Sequence, residues 1–289
     1  MNEFPLFQTL EFSVLPEVIF ERFSVSPMSL REIFEGLSCL SVTAVKVAVT
    51  RPSRLRWYLS QCLKRYDELV GNGLPARSPV TPTPDLTITI PAHHSGGGMA
   101  FDEMVILARS VRVLKPKTIF ELGSYNGLST AIFMLNSDAD ARIITLDLPQ
   151  GWAGSSVLSS DEELVESRQL VSVPQALGLT QASQILCDSM QFDPAPYLDS
   201  VDFGLIDAAH DVVHVQNDTI KMARMASQEG VVFWHDYGGK GRLRPLAKYL
   251  EGLARRCPIY RIRGTTLAWA PAGPLKAVLA PAARHSQAA

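Results

Sequence analysis

Chemistry-bearing residues gather first in the run Glu121-Leu122-Gly123-Ser124-Tyr125-Asn126-Gly127. Two glycines let a backbone turn sharply and approach a ligand closely before a helix begins. The spacing is G-x-x-x-G rather than the G-x-G-x-x-G of dinucleotide enzymes, which disfavours a dinucleotide oxidoreductase. Asp147 lies twenty residues beyond Gly127, and a carboxylate at that remove can accept both hydrogen bonds of a ribose diol. Glu121 adds a second acid, which repels a pyrophosphate and welcomes an amino group. The combination favours an adenosyl ligand that carries positive charge. A rival pattern, His210-Asp211-Val212-Val213-His214, sets two histidines four apart, as in H-E-x-x-H zinc hydrolases. It replaces the glutamate base with a shorter aspartate and has no third zinc ligand nearby, so it is the weaker reading. His93-His94 receive no role. Trp152 and Tyr237 read equally well as aromatic walls for a ring-bearing substrate and as core.

These residues need strand ends to position them, and the pattern from Phe101 onward supplies strands. Helix 101–114, strand 118–122, helix 128–136 and strand 142–147 follow one another, with a further helical stretch near 161–170. Strand 184–187, strand 201–207, helix 211–226, strand 230–234 and a helix near 243–254 come next. Short apolar strands between helices signal a parallel sheet covered on both faces. The runs 259–263 and 266–270, joined by Gly264-Thr265, predict an antiparallel hairpin at the sheet edge. The fold class is therefore α/β, a Rossmann-like, doubly wound, mostly parallel sheet with an antiparallel C-terminal hairpin. A helical N-terminal extension precedes it. Ser26-Pro27 reads as a cap leading into helix 28–40, and residues 53–70 carry apolar positions on one helical face flanked by arginines and lysines. That face suits a lid or a packed surface better than a membrane surface. Residues 71–92, with five prolines, read as a linker ending in an extended piece. The expected division is 1–90 extension and linker, 91–272 main domain and 273–289 tail.

The 289 residues are 46% apolar and 19% charged, which excludes a disordered chain. No stretch reaches the roughly 20 apolar residues of a membrane span, and no signal peptide is evident. Four scattered cysteines without a C-x-x-C pair point to a reduced, cytoplasmic setting. The overall charge of −2 divides into −11 for residues 91–237 and +9 for 238–289. The basic end is expected to dock beside the acidic middle, with a rim for an anionic substrate as the sharper alternative. The basic residues lack interleaved aromatic platforms, which argues against nucleic acid.

At the strand ends the sequence resembles class I S-adenosylmethionine-dependent methyltransferases. Residues 121–127 look like their first motif and Asp147 like their ribose-binding acid. It is similar to the caffeoyl-CoA and catechol O-methyltransferase branch and to antibiotic sugar O-methyltransferases. That narrower match rests on Gly97-Gly98-Met99 with Glu103, on Leu205-Ile206-Asp207-Ala208-Ala209-His210, and on Gly230-Val231-Val232-Phe233-Trp234-His235-Asp236-Tyr237. The resemblance covers about residues 93–271 and implies O-methylation of a hydroxyl on a small molecule. It places Gly123, Ser124, Gly127 and Ser129 along the methionine and ribose side, with Glu121 near the amino group. Asp147 holds the ribose, Leu148 lies beside the adenine, Asp188 and Ser189 surround it, and Met99 belongs to the segment folding over the cofactor. Asp188 also reads as a turn aspartate. Asp207, His235 and Asp236 occupy the positions of three ligands to a divalent metal, magnesium or manganese. A histidine where the family has an acid either shifts that site from magnesium towards manganese or iron or means that no metal binds. His210 occupies the position of a general base, and a normal pKa of about 6.5 suits that role. Members of the family often pair as dimers, so the resemblance leaves a homodimer open. A non-catalytic S-adenosylmethionine-binding module is the competing reading.

Overall fold

The computed structural model describes residues 7–12, 73–81, 86–91, 99–152, 169–238 and 243–279. The helices expected at 28–40 and 53–70, residues 161–168 of the helical stretch expected near 161–170, and His93-His94 lie outside the described residues, while 169 and 170 are not helical. The first described segment departs from the expected helical extension. Strand β1 (Phe7–Phe12) pairs antiparallel with β2 (Leu86–Pro91), forming a separate two-stranded sheet. Leu10 and Phe12 alternate with polar Thr9 and Glu11 there, a period of two that suits a strand.

The main sheet has seven strands: β3 (Thr118–Leu122), β4 (Arg142–Asp147), β5 (Ala182–Leu186), β6 (Val201–Ile206), β7 (Ala226–Trp234), β8 (Tyr260–Arg261) and β9 (Ala268–Pro271). Their spatial order is β5-β4-β3-β6-β7-β9-β8. The first five run parallel, while β9 is antiparallel to β7 and β8 to β9. The order reverses between β3 and β6, and in such a sheet ligands bind beyond the carboxyl ends at that switch. Helices α1 (Phe101–Leu114), α2 (Leu128–Asn136), α3 (Ser172–Ala176), α4 (Val212–Met225), α5 (Arg244–Leu253) and α6 (Ala272–Leu279) complete the described elements.

Alternation along each central strand divides the core between the two faces. Ile119, Phe203, Leu205 and Phe233 pack with Met104, Leu107 and Phe133 of α1 and α2, and with Ile88 and Ile90 of β2. Phe120, Leu122, Val232 and Trp234 pack on the other face with Met222, Leu246, Leu250 and Leu275 of α4, α5 and α6. The ring of Phe203 stacks on Phe233 at 4.8 Å and meets Phe133 edge-on at 5.6 Å.

Several elements differ from the sequence reading by a residue or two, and four departures are larger or more instructive. β5 begins at Ala182 and ends at Leu186. β7 begins at Ala226, because polar Ser227, Gln228 and Glu229 continue it beyond the apolar run. A short helix, α3, contains Pro174 in its first turn, where no intrahelical N–H bond is lost. Residues 272–279, expected within or beside a tail, form α6, whose Leu275 is fully buried. Lys276 of α6 pairs with Asp199 and donates to the Ala226 carbonyl at 2.6 Å. In this one contact the basic end docks beside the acidic middle, as the charge pattern implies.

Candidate functional site

The loop between β3 and α2 crosses the end of β6, and one glycine makes the crossing feasible. Gly123 has φ +91°, and a Cβ there would lie 2.2 Å from the Asp207 carbonyl oxygen. Gly123 N–H donates to Leu146 O at 2.8 Å and Asp207 N–H donates to Leu122 O at 2.8 Å, so both neighbouring strands hold the turn. Gly127, at φ +82°, caps α2 where a Cβ would meet Pro174 at 2.7 Å.

Asp147, at the end of β4, braces this loop. Its Oδ2 accepts from Ser124 N at 2.9 Å, Ser124 Oγ at 3.0 Å and Tyr125 N at 2.8 Å, while Oδ1 accepts from Leu148 N at 2.7 Å. Glu121 lies beneath the loop on the α2 side, with Thr130 Oγ1 donating to its Oε2 at 2.5 Å. Its Oε1 has no hydrogen-bond partner among the described residues. Burial pushes this carboxyl up to about 7, against the lowering pull of the Ser129 and Thr130 hydroxyls. An orphaned buried acceptor of this kind fits a cationic amino group.

Two of the expected cofactor residues have structural roles of their own. Asp188 Oδ1 accepts from Met190 N at 2.9 Å, which makes it a turn aspartate, with Ser189 buried beside it. Met99 packs into the apolar cluster of α1, α2 and β2, so its side chain serves the core.

The second pole forms where β6 and β7 end. Asp207, His210, Trp234, His235, Asp236 and Leu246 line one small cleft. His210 Nε2 lies 2.8 Å from Asp236 Oδ2. Asp236 takes a left-handed backbone conformation, φ 62°, uncommon outside glycine. The His235 ring sits between carboxylates: Nε2 is 3.1 Å from Glu103 Oε2, and Nδ1 is 3.1 Å from Asp207 Oδ1 and 3.5 Å from Asp236 Oδ2. Burial alone would lower the His235 pKa, but Asp207 and Asp236 outweigh it and hold it well above the ordinary 6.5. Burial would likewise raise Asp236, yet the charge of His235 and the hydrogen bond from His210 hold it well below 3.8.

Glu103 was expected only within the segment over the cofactor. Here it is 2% exposed, and its Oε1 accepts from Thr266 N at 2.7 Å and Thr266 Oγ1 at 2.6 Å. Its Oε2 accepts from Ala100 N at 2.9 Å. Burial raises its pKa, but the bonds from His235 and Thr266 bring it down to about 2. The contact with Thr266 spans 163 residues, and nothing local in sequence announces it.

Donor atoms of Asp207, His235 and Asp236 all lie within 4.8 Å of one another. A divalent ion about 2.1 Å from each would set its ligands about 3 Å apart, close to the 3.1 and 3.5 Å that separate Nδ1 from the two carboxylates. The three residues therefore fit a cation, and one nitrogen with two oxygens suits manganese or iron better than magnesium. The zinc-hydrolase pattern is not assembled. Asp211 caps α4 and binds His214 Nδ1 at 2.5 Å, so His210 precedes the helix instead of sharing its face with His214. Tyr237 is core rather than a substrate wall: its hydroxyl accepts from the buried Leu74 N at 2.8 Å. Trp152 is half-buried.

No helix among the described residues is long and apolar enough to cross a membrane. None of the curated proteins matches the chain. Similar solved structures include a Podospora anserina methyltransferase bound to S-adenosylhomocysteine, 15% identical with TM-score 0.46, covering 60% of this chain and 78% of that one. The O-methyltransferase TomG from Streptomyces achromogenes, in complex with S-adenosylmethionine, is 16% identical with TM-score 0.44, over 60% of this chain and 81% of its own. An O-methyltransferase from Bacillus cereus is 15% identical with TM-score 0.42, over 63% and 84%. Residues 120–237, which hold both poles of the site, match the family described as a methyltransferase domain. Over those residues the chain is thus similar to the methyltransferase-domain family.

Proposed function

We propose that the protein methylates a hydroxyl on a small molecule, with His210 as general base. The observation that carries this reading is the docking of His210 on Asp236 within the cleft that Asp207 and His235 also line. Asp236 fixes the imidazole and stabilises the imidazolium that forms when Nδ1 takes the hydroxyl proton. Glu121 faces the donor's amino group, and Gly123, Ser124, Gly127 and Ser129 form the cradle around its methionine and ribose. Asp147 holds the ribose through the same carboxylate that braces the loop. Leu148, Asp188 and Ser189 border the adenine, and Met99 supports the covering segment from within the core. The donor's sulfonium supplies an already activated methyl group, so the protein's work is alignment of oxygen, methyl and sulfur. Asp207, His235 and Asp236 would hold a divalent cation, which would supply Lewis-acid chemistry that lowers the pKa of the acceptor hydroxyl. Cys187 and Cys257, both free, accord with a reduced cytoplasmic setting.

The test begins with calorimetric titration of S-adenosylhomocysteine into wild type and Asp147→Ala, followed by a panel of hydroxylated acceptors with manganese or magnesium. His210→Ala is expected to keep cofactor affinity and lose about 100-fold or more in turnover. Turnover that survives this change would remove His210 from the mechanism.

A further inference from the structure

Glu103 lies outside the matched family region, yet it receives more hydrogen bonds than either carboxylate it faces across His235. Backbone N–H groups of Thr266 and Ala100 and the Thr266 hydroxyl all approach it, occupying both oxygens as acceptors. An acceptor so fully used offers the imidazole only a lone pair, so His235 Nε2, 3.1 Å away, must be the donor. With Nε2 committed to Glu103, Nδ1 is the nitrogen that faces Asp207 and Asp236, and it becomes a ligand once a cation displaces its proton. We propose that Glu103 is a positioning residue that fixes the His235 tautomer and rotation, so that Nδ1 completes a cation site with Asp207 and Asp236.

The proposal rests on the metal reading above and deepens it. Carboxylates that hold the far nitrogen of a metal-bound histidine orient the ring and raise its basicity. Here the brace comes from the start of α1 and is itself fixed by the hairpin residue Thr266, so two elements outside the strand ends set the geometry of the cation site. An acid at position 235 would gain nothing from Glu103 and would be repelled by it. The brace and the histidine make sense only as a pair.

The discriminating experiment is a double-mutant cycle read by manganese binding, with free manganese followed by electron paramagnetic resonance and S-adenosylhomocysteine affinity as a control. In Glu103→Gln the amide must turn its –NH2 towards either Nε2 or a backbone N–H, so the brace is lost without loss of volume. Manganese affinity is expected to fall about 10- to 100-fold, with S-adenosylhomocysteine affinity unchanged. In a His235→Asp background the same change is expected to leave manganese affinity equal or improved. An equal loss in both backgrounds would show that Glu103 acts only through Thr266 and Ala100, and would overturn the inference. Wild type that binds S-adenosylhomocysteine but no manganese would defeat the metal reading itself and this inference with it. Should Glu103→Gln not fold, nitrogen-15 spectra of the wild-type histidines with zinc bound answer the question. A proton on His235 Nε2 is expected, and a proton on Nδ1 with a bare Nε2 refutes the assignment.

Discussion

Glu121 carries the clearest titration signature at the scale of single residues. Its carboxyl releases a proton near 4.5 when exposed and near 7 when folded, chiefly because it is buried. Between those values the native state holds a proton that the unfolded chain has lost, so stability falls as pH rises from 4.5 to 7 and then levels. Glu121→Gln is therefore expected to be more stable than wild type at pH 8, by on the order of 1–3 kcal/mol, and no more stable at pH 4. Denaturant midpoints at the two pH values check this, and curves that stay parallel across pH would contradict it. The polar residues most legible in the sequence, Glu121, Asp147, Asp207, His210, His235 and Asp236, all follow or end strands, where chain order alone suggests proximity. Glu103 and Thr266 could not be assigned their partnership that way, because it depends on how α1 and a hairpin at the far edge fold back over the same strand end.

Among the elements, the turn from β3 into α2 is the one with least steric freedom. Gly123→Ala is expected to cost more than about 2 kcal/mol, since it combines a positive φ with a Cβ 2.2 Å from backbone. Gly252, inside α5 with nothing within 4 Å of its would-be Cβ, provides the opposite case. Gly252→Ala is expected to stabilise by about 0.5–1 kcal/mol. Thermal or urea denaturation of both variants measures the contrast. Elements bounded by sharp changes from apolar to polar were readable to the residue, as at Thr118–Leu122, Leu128–Asn136 and Arg142–Asp147. Where polarity and secondary structure part company, reading failed: Ser227-Gln228-Glu229 continue β7 by main-chain pairing, and Pro271, Gly273 and Pro274 disguise the start of α6.

At the scale of the molecule, the segment 73–77 is fastened to the far side of the sheet. Leu74 is buried and its N–H donates to Tyr237, Arg77 N–H donates to Arg261 O at 3.0 Å, and Trp269 Nε1 donates to Arg77 O at 2.9 Å. The chain leading into β2 therefore meets the domain immediately after His235-Asp236. Tyr237→Phe strands the buried Leu74 N–H and is expected to cost about 1–3 kcal/mol, seen as a lower urea midpoint with manganese affinity retained. A midpoint equal to wild type would mean that the segment is held by its other contacts alone.

The crossing of Gly123 over Asp207 has a consequence for redesign. On the proposed function, the turn that would cradle the donor and the carboxylate that would face the acceptor share one point of backbone contact, fastened by hydrogen bonds from Gly123 to Leu146 and from Asp207 to Leu122. Substitutions on either side of that seam change both half-sites together, so selection for a new acceptor will trade against donor affinity there. Variation that leaves the seam intact, as on the surface of Leu246 and the start of α5, can alter acceptor choice while leaving donor affinity in place.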